Sequence, residues 1–133
     1  MKIEINNKAN HKINLKLVEK VITVFAKVYK INKEISLAFV SDAEIKKLNL
    51  TYRGINKATD VLSFSGDGES LGEIIIDYKQ VKRQAGDFKN SAEQELIFIL
   101  VHGLFHLIGH DDKTDGDREK MIKIGEKFIK NYL

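Results

Sequence analysis

Apolar residues recur along the chain with two different periods, which predict both strands and helices. Near the N-terminus Ile3 and Ile5 alternate with polar neighbours, as in a strand with one buried face. Between Asn14 and Tyr29 the apolar positions recur every three or four residues, which is typical of an amphipathic helix. Residues 33–40, KEISLAFV, are rich in β-branched and aromatic side chains and are predicted to form a second strand.

The middle of the chain predicts a short helix followed by a hairpin. Ser41 and Glu44 have the spacing of a capping box, so a helix is expected to begin here. Residues 59–65 and 71–77 have the composition of strands. The segment GDGES between them is short and contains two glycines, so the strands are predicted to pair as a hairpin.

Three helices are predicted after the hairpin. The segment YKQVKRQA forms a short one that ends near Gly86, because glycine readily takes the backbone conformation that follows a helix. Ser91 and Gln94 form a second capping box, which begins a long apolar helix over residues 92–108. Residues 115–133 form a terminal amphipathic helix.

The order β α β α β β α α α indicates an α+β fold. We expect a single domain over residues 1–133, in which a small mixed sheet of about four strands packs with about five helices. The long apolar helix is expected to be buried against the sheet. Polar residues on that helix are therefore unusual and are the first place to look for function.

Composition narrows the class of protein. Of the 133 residues, 43% are hydrophobic and 31% charged, which is typical of a globular domain. Cysteine is absent, so any metal ion must bind His, Asp or Glu. No apolar run is long enough to span a bilayer, and we expect a cytoplasmic protein with no membrane partner. The net charge of +3 is compatible with nucleic-acid binding, but an ordinary lysine-rich surface explains it equally well.

The apolar helix carries the segment LVHGLFHLIGHDD, which contains three of the four histidines of the chain. His102 and His106 are four residues apart, so they lie on one face of a helix and can bind one metal ion. The alternative is a pair of core histidines with ordinary hydrogen-bond partners. Gly109 can end the helix and turn the chain back, so that a residue such as Asp112 supplies a third ligand.

This spacing is like that of a longer zinc-peptidase motif, with one difference. Those peptidases carry a glutamate general base directly after the first histidine, where this chain has Gly103. A small metallopeptidase is therefore disfavoured. A glycine inside a helix also destabilises it by about 1 kcal/mol relative to alanine. We expect this cost to be offset, either by the close approach of another backbone or by access of substrate to the metal. The alternative is a packing glycine beneath a neighbouring helix.

The segment HGLFHLIGHDD resembles the H-G-x-L-H-L-x-G-Y-D-H signature of the YbeY family of metal-dependent endoribonucleases. The segments LNLTYRGINKATDVLSFS, LGEIIID, AEQELIFILVHG and EKM resemble other family motifs in the same order. The resemblance implies single-strand-specific RNA cleavage in 16S ribosomal RNA 3′-end maturation and ribosome quality control. It implies one divalent ion, with zinc favoured, and as partners precursor RNA, the small ribosomal subunit and maturation factors. A non-catalytic assembly factor with a structural metal is the alternative.

The third metal ligand is the main departure from the family signature. Asp112 stands at the position of the family's third histidine, and His110 stands where the family has an aromatic residue. Position favours Asp112, whereas imidazole suits zinc better. Asp111 matches the family's own aspartate and fits a role behind the ligands or as a loop cap. We rank Asp112 first, His110 second and Asp111 third, and the alternative is a vacant third position with weak binding.

Four other residues are candidates for the site. Arg53 matches the family's arginine, and its planar guanidinium could hold the scissile phosphate with two hydrogen bonds. The alternative is a surface arginine stacked on Tyr52. Asp60 could orient a metal-binding imidazole or cap the turn into the next strand. Ser63 and Glu73 are expected to line the same groove. No residue is assigned as general base.

Overall fold

A four-stranded mixed sheet organises the protein, in a computed structural model that describes residues 2–133. The strands are β1 (Ile3–Asn7), β2 (Glu34–Phe39), β3 (Val61–Ser65) and β4 (Ser70–Ile76). Their order across the sheet is β1-β2-β4-β3. β2 is parallel to both β1 and β4, and β3 pairs antiparallel with β4 through the predicted hairpin. β3 is therefore an edge strand.

Five helices pack around this sheet, and they follow the strands in the predicted order. They are α1 (Leu15–Val28), α2 (Asp42–Arg53), α3 (Tyr78–Asp87), α4 (Ala92–Leu107) and α5 (Asp115–Tyr132). The predicted α+β class, with about four strands and about five helices, is confirmed. None of the helices within residues 2–133 is both long and apolar enough to cross a membrane.

The two faces of the sheet bury separate apolar cores. Ile74 and Ile76 of β4 belong to the larger core, which also contains residues of α1, α4 and α5. Ile75, between them, belongs to the smaller core beneath Ile45 of α2. This alternation is the two-residue period of a strand. It places α2 and α4 on opposite sides of the sheet, and both reach the free edge at β3.

Helix α4 is buried nearly all round, as its apolar sequence predicts. Phe105 stacks edge-on against Phe25 of α1 and Phe128 of α5. On another side Gly103 lies against the sheet, where a Cβ would be 3.2 Å from both Ile74 Cγ2 and Ser63 Oγ. Gly103 is therefore a packing glycine whose nearest neighbours are side chains of the sheet. The expected close approach of another backbone is not observed, and the alternative of packing beneath a neighbouring helix named the wrong element.

One of the two predicted capping boxes forms only in part. Ser41 accepts a hydrogen bond from the Glu44 N–H at 3.2 Å, but the reciprocal bond is absent and Glu44 lies 3.9 Å from Lys8 Nζ instead. Helix α3 ends at Asp87, next to Gly86 as predicted, and the left-handed residue after it is Lys89, with φ of 56°. The box at the start of α4 is confirmed, because both of its hydrogen bonds are present.

Candidate metal centre

The end of α4 determines where the following loop goes. Gly109 has a φ of 105°, which favours glycine over other residues. Its N–H donates to the carbonyl of His106, and the N–H of His110 donates to the carbonyl of Phe105, each at 3.1 Å. These are the two hydrogen bonds of a Schellman motif, which closes the helix and reverses the chain. The loop 110–114 therefore returns beside α4.

The returning loop brings Asp112 to the two histidines of α4. The Nε2 atoms of His102 and His106 each lie 3.5 Å from a different oxygen of the Asp112 carboxylate. One ligand atom from each residue lies within 4.8 Å of the other two. Ligands at about 2.0–2.2 Å around a tetrahedral ion are roughly 3.3–3.6 Å apart. The spacing fits one metal ion, and no other such group occurs among residues 2–133.

The pKa shifts of His102 and Asp112 also suit a metal. Burial lowers the pKa of the His102 imidazole and His106 lowers it further, which outweighs the opposing effect of Asp112. Burial by itself would raise the pKa of Asp112, but the two histidines together hold it below its usual value. A neutral imidazole and an ionised carboxylate are the forms that bind metals.

The two competing candidates for third ligand point elsewhere. The ring of His110 packs edge-on against Phe105, with 5.4 Å between the ring centroids. Phe105 belongs to the core side of α4, so His110 lies away from the two histidines. Asp111 is exposed, and its carboxylate accepts a hydrogen bond from the N–H of Lys113 at 3.3 Å. Asp111 therefore caps the loop.

A groove of about 660 Å³ opens in front of these residues. It runs along the edge strand β3 and is bounded by the end of α2, by α4 and by the start of α5. The predicted residues Arg53, Asp60 and Ser63 line it together with the His102, His106 and Asp112 group. Several other lining residues were not predicted from the sequence as part of the site, among them Tyr52, Phe98, Arg118 and Ile122. Only Phe98 had a usable signal, because it precedes His102 by four residues on the same helix face.

Arg53 is the last residue of α2 and is exposed. The left-handed Gly54, with φ of 71°, ends the helix directly after it. Its guanidinium makes no hydrogen bond or ion pair to another residue within 2–133. Tyr52 instead packs against Phe64, with 5.1 Å between ring centroids, and the cation–ring contact of the described chain is Lys82 over Tyr78. Stacking of Arg53 on Tyr52 is therefore not observed.

Asp60 is held by hydrogen bonds at the entrance to β3. One carboxylate oxygen accepts from the Val61 N–H at 2.8 Å and from the Thr59 hydroxyl at 3.3 Å. The other accepts from the amide of Gln84 on α3 at 3.0 Å. Within residues 2–133 it makes no hydrogen bond to a histidine. Asp60 thus caps the turn into the strand and faces the groove from a fixed position.

The structure places Glu73 outside the groove, as a correction to the sequence analysis. Glu73 precedes Ile74 in β4, and Ile74 faces α4. Adjacent residues of a strand point to opposite faces, so Glu73 lies on the α2 side of the inner strand β4, and it does not line the groove. Ser63 pairs with Ile74 and shares its face, which brings it next to Gly103 and into the groove.

Two imidazoles and one carboxylate at an open groove, on a small α+β scaffold, define the class of candidate metal-dependent hydrolases. The family model described as Endoribonuclease YbeY matches residues 2–133. The chain belongs to the YbeY family.

Similar proteins agree with this assignment. The protein named Endoribonuclease YbeY from Desulforamulus reducens is 41% identical over 128 residues, which cover 86% of this chain and 84% of the relative. The one from Acholeplasma laidlawii is 35% identical over 130 residues, covering 96% of this chain and 95% of the relative. The solution structure of TM1509 from Thermotoga maritima has a TM-score of 0.67 at 29% identity, covering 96% of this chain and 87% of that one.

Proposed function

We propose that this protein is a metal-dependent endoribonuclease that cleaves single-stranded RNA. The observation that carries the proposal is the joint position of the His102, His106 and Asp112 group and an unpaired arginine in one groove. The names of its relatives, Endoribonuclease YbeY, supply the reaction class. Hydrolysis of a phosphodiester needs an activated water and a means of balancing phosphate charge, and this groove offers residues for both.

One divalent ion, with zinc favoured, is inferred at His102, His106 and Asp112. Three protein ligands that leave a fourth position open are typical of catalytic rather than structural zinc sites. The side chains of the three residues are 17%, 29% and 37% exposed, so the fourth position would face the groove. Bound there, the ion would supply Lewis acidity and a water of lowered pKa.

Arg53 is proposed to hold the scissile phosphate. Its guanidinium has free donors, and two parallel N–H groups match two phosphoryl oxygens. Because charge builds on these oxygens during hydrolysis, a fixed cation lowers the barrier more than it strengthens ground-state binding. The backbone position of Arg53 is fixed by the end of α2 and the left-handed Gly54.

Aromatic side chains in the groove support a preference for single strands. Tyr52, which is 65% exposed, Phe64 and Phe98 all line it. Unpaired bases stack on such rings, whereas a duplex keeps its base faces covered. The finer assignment is proposed from the family resemblance: 16S ribosomal RNA 3′-end maturation and ribosome quality control, in the cytoplasm, with the small subunit and maturation factors as partners.

Arg53→Ala tests the proposal. Removing one charge-stabilising donor should lower kcat for a single-stranded oligoribonucleotide by about a hundredfold. Metal content and circular dichroism should stay as in the unchanged protein, because Arg53 is exposed and contacts no predicted ligand. Lys57→Ala, which removes an exposed cation outside the groove, is the control and should cleave normally.

Two results would contradict the proposal. Full cleavage by Arg53→Ala would remove Arg53 from the reaction. Failure of the metal-loaded, unchanged protein to cut any RNA, while it still bound ribosomal subunits, would favour the non-catalytic assembly factor. A peptide-hydrolysis assay on the same sample is expected to be negative, since Gly103 occupies the position of the peptidase base.

A further inference from the structure

The three arginines of this lysine-rich chain are unequally engaged. Among the 22 Lys and Arg residues, arginine occurs at positions 53, 83 and 118. Arg83 is paired with the Asp42 carboxylate through two hydrogen bonds of 2.7 and 3.2 Å, and it also donates to Gln80. Arg53 and Arg118 make no side-chain hydrogen bond or ion pair within residues 2–133. Both of these unpaired guanidinium groups line the groove of the candidate metal centre.

The start of α5 aims Arg118 at the groove. Thr114 caps this helix by accepting from the N–H of Asp117 at 3.0 Å, and the Arg118 N–H donates to the Thr114 carbonyl at 3.0 Å. Ile122, one turn after Arg118 and on the same helix face, also lines the groove. The same stripe of α5 continues to Gly125, which faces Val101 of α4, so Arg118 stands at the end of the packed face. Arg118 is therefore presented to the groove by a packed helix.

A cation at this position is not explained by the stability of α5. The N-terminus of a helix carries a partial positive charge, so a cation in the first turn is disfavoured by about 0.3–1 kcal/mol. The acidic neighbours Asp117 and Glu119 form no ion pair with Arg118 within the described chain. An anionic ligand in the groove would offset this unfavourable placement.

Arg53 and Arg118 approach the groove from different walls. Arg53 comes from α2, on the far side of the sheet edge, and Arg118 comes from α5. Helix α4 packs against both β3 and α5, and it carries His102 and His106 between the two walls. One phosphate is already assigned to Arg53. A ligand with phosphates linked in series, as in a nucleic acid strand, is the chemistry that could occupy both guanidinium groups together.

We propose that Arg118 is a second phosphate-binding residue, which holds the RNA backbone at a phosphate other than the one that is cleaved. This inference rests on the proposed nuclease function and deepens it. The groove would then bind a strand of at least two phosphates, with the reacting one between Arg53 and the metal ligands. Arg118 is proposed as a substrate-binding residue that contacts the RNA backbone without touching the reacting atoms.

Kinetics on two substrates test the inference. With a single-stranded oligoribonucleotide, Arg118→Ala should raise KM roughly tenfold with kcat nearly unchanged, because one phosphate contact is lost. The slope of log(kcat/KM) against log salt should fall by about 0.7, the value for one single-strand phosphate. Arg118→Lys should recover most of that slope. With a dinucleotide, which has a single phosphodiester, Arg118→Ala and the unchanged protein should perform alike.

Matched variants and a binding measurement complete the experiment. Lys120→Ala removes an exposed cation of α5 outside the groove and should leave both parameters unchanged. Equal KM values for Arg118→Ala and the unchanged protein on the long substrate would overturn the inference. So would an equal defect on the dinucleotide, which would place Arg118 at the reacting phosphate. If no cleavage is seen at all, the nuclease proposal fails, and the salt slope of oligonucleotide binding by fluorescence anisotropy still decides the role of Arg118.

Discussion

Gly103 is the residue at which the histidine helix comes closest to the sheet. A Cβ at this position would lie 3.2 Å from Ile74 Cγ2 and Ser63 Oγ, and 3.3 Å from Ile74 Cδ1. Ile74 is fully buried in the larger core, so it has little freedom to move away. Two effects therefore oppose each other at Gly103: crowding against the sheet, and the better helix propensity of alanine.

Gly103→Ala is expected to lower the free energy of unfolding by about 1 kcal/mol. Overpacking typically destabilises by about 1–3 kcal/mol, and alanine returns about 1 kcal/mol through helix propensity. Gly125→Ala in α5 is the control, because its Cβ would meet Val101 at an ordinary 3.7 Å and should stabilise by about 0.5–1 kcal/mol. Urea denaturation measures both. Equal stabilisation by the two variants would mean that Gly103 is not crowded.

Individual site residues differ in how far the sequence could predict them. His102 and His106 follow from helical spacing alone, because four residues make about one turn. The ranking of Asp112 above His110 as third ligand depends on the path of the loop after Gly109, which residue spacing does not determine. In the structure the Schellman turn sends His110 to Phe105 and Asp112 to the histidines. The ligand assignment itself stays a prediction until metal content is measured.

At the scale of elements, the start of α3 brings the carboxyl group of Asp77 next to that of Asp42, the first residue of α2. Asp77 is fully buried, and one of its oxygens caps the helix by accepting from the N–H groups of Lys79 and Gln80. Its other oxygen has no donor within residues 2–133. Burial and the adjacent Asp42 raise the pKa of Asp77 to about 6, while Arg83 lowers the pKa of Asp42 to about 2. A proton on Asp77 can therefore be donated to Asp42.

This pair predicts a pH-dependent stability. The pKa of Asp77 is about 6 in the folded protein, above its ordinary value of 3.8, so the folded state holds this proton more tightly. The stabilisation is complete below about pH 4 and is lost as the pH rises through about 6. Asp77→Asn keeps the capping oxygen and supplies a permanent N–H. It should raise the free energy of unfolding by about 1–2 kcal/mol at pH 8 and by much less at pH 5.

Chemical denaturation at the two pH values measures this difference. Asp87→Asn removes an exposed carboxylate from the same helix and serves as the control, with little change expected at either pH. A loss of stability in Asp77→Asn at pH 8 would contradict the prediction, because it would show that the ionised Asp77 carboxylate does not destabilise the folded protein.

Helix ends show how much an element can be predicted from local sequence. The Ser91 box forms as predicted because both partners are adjacent in the sequence and exposed. At Ser41 the same pattern forms only half, since Glu44 lies instead near Lys8, a residue distant in sequence. Helix α3 ends at Asp87, next to Gly86 as predicted, although the left-handed residue beyond it is Lys89 rather than the glycine. The half-formed box at Ser41 is therefore the exception, and it involves a tertiary contact.

At the scale of the whole molecule, the groove is assembled from segments far apart in the chain. Tyr52 and Arg53 come from one side of the sheet, Thr59–Phe64 from its edge, and α4 and α5 from the other side. The periodicity of each segment predicted its element and its buried face. It did not determine the strand order β1-β2-β4-β3, which makes β3 an edge and so opens the groove. Arg118 reaches the groove only through the packing of α5 on α4, which its local sequence does not indicate. Glu73 was predicted on the wrong side, because the sequence did not show which face of β4 meets α4.

The candidate site joins helix α4 to the loop that follows it, and because an ion would bind this folded arrangement and not the unfolded chain, metal binding should stabilise the whole domain. Asp112 belongs to the loop between α4 and α5, and the histidines belong to α4. An ion at a hundred times its dissociation constant adds about 2.7 kcal/mol to the folded state. For a domain of this size we expect Tm to rise by roughly 10 °C on adding zinc and to fall again with a chelator.

Single alanine variants distinguish between the two competing third ligands, Asp112 and His110. Asp112→Ala should lose most of the zinc-dependent rise in Tm together with bound metal, because it removes both oxygens that face the imidazoles. His110→Ala should keep both, because its ring packs on Phe105. Thermal unfolding with and without zinc, combined with metal analysis of the same samples, measures the two effects. Full zinc content in Asp112→Ala with loss in His110→Ala would reverse the ranking and would require the loop after Gly109 to rearrange around the ion.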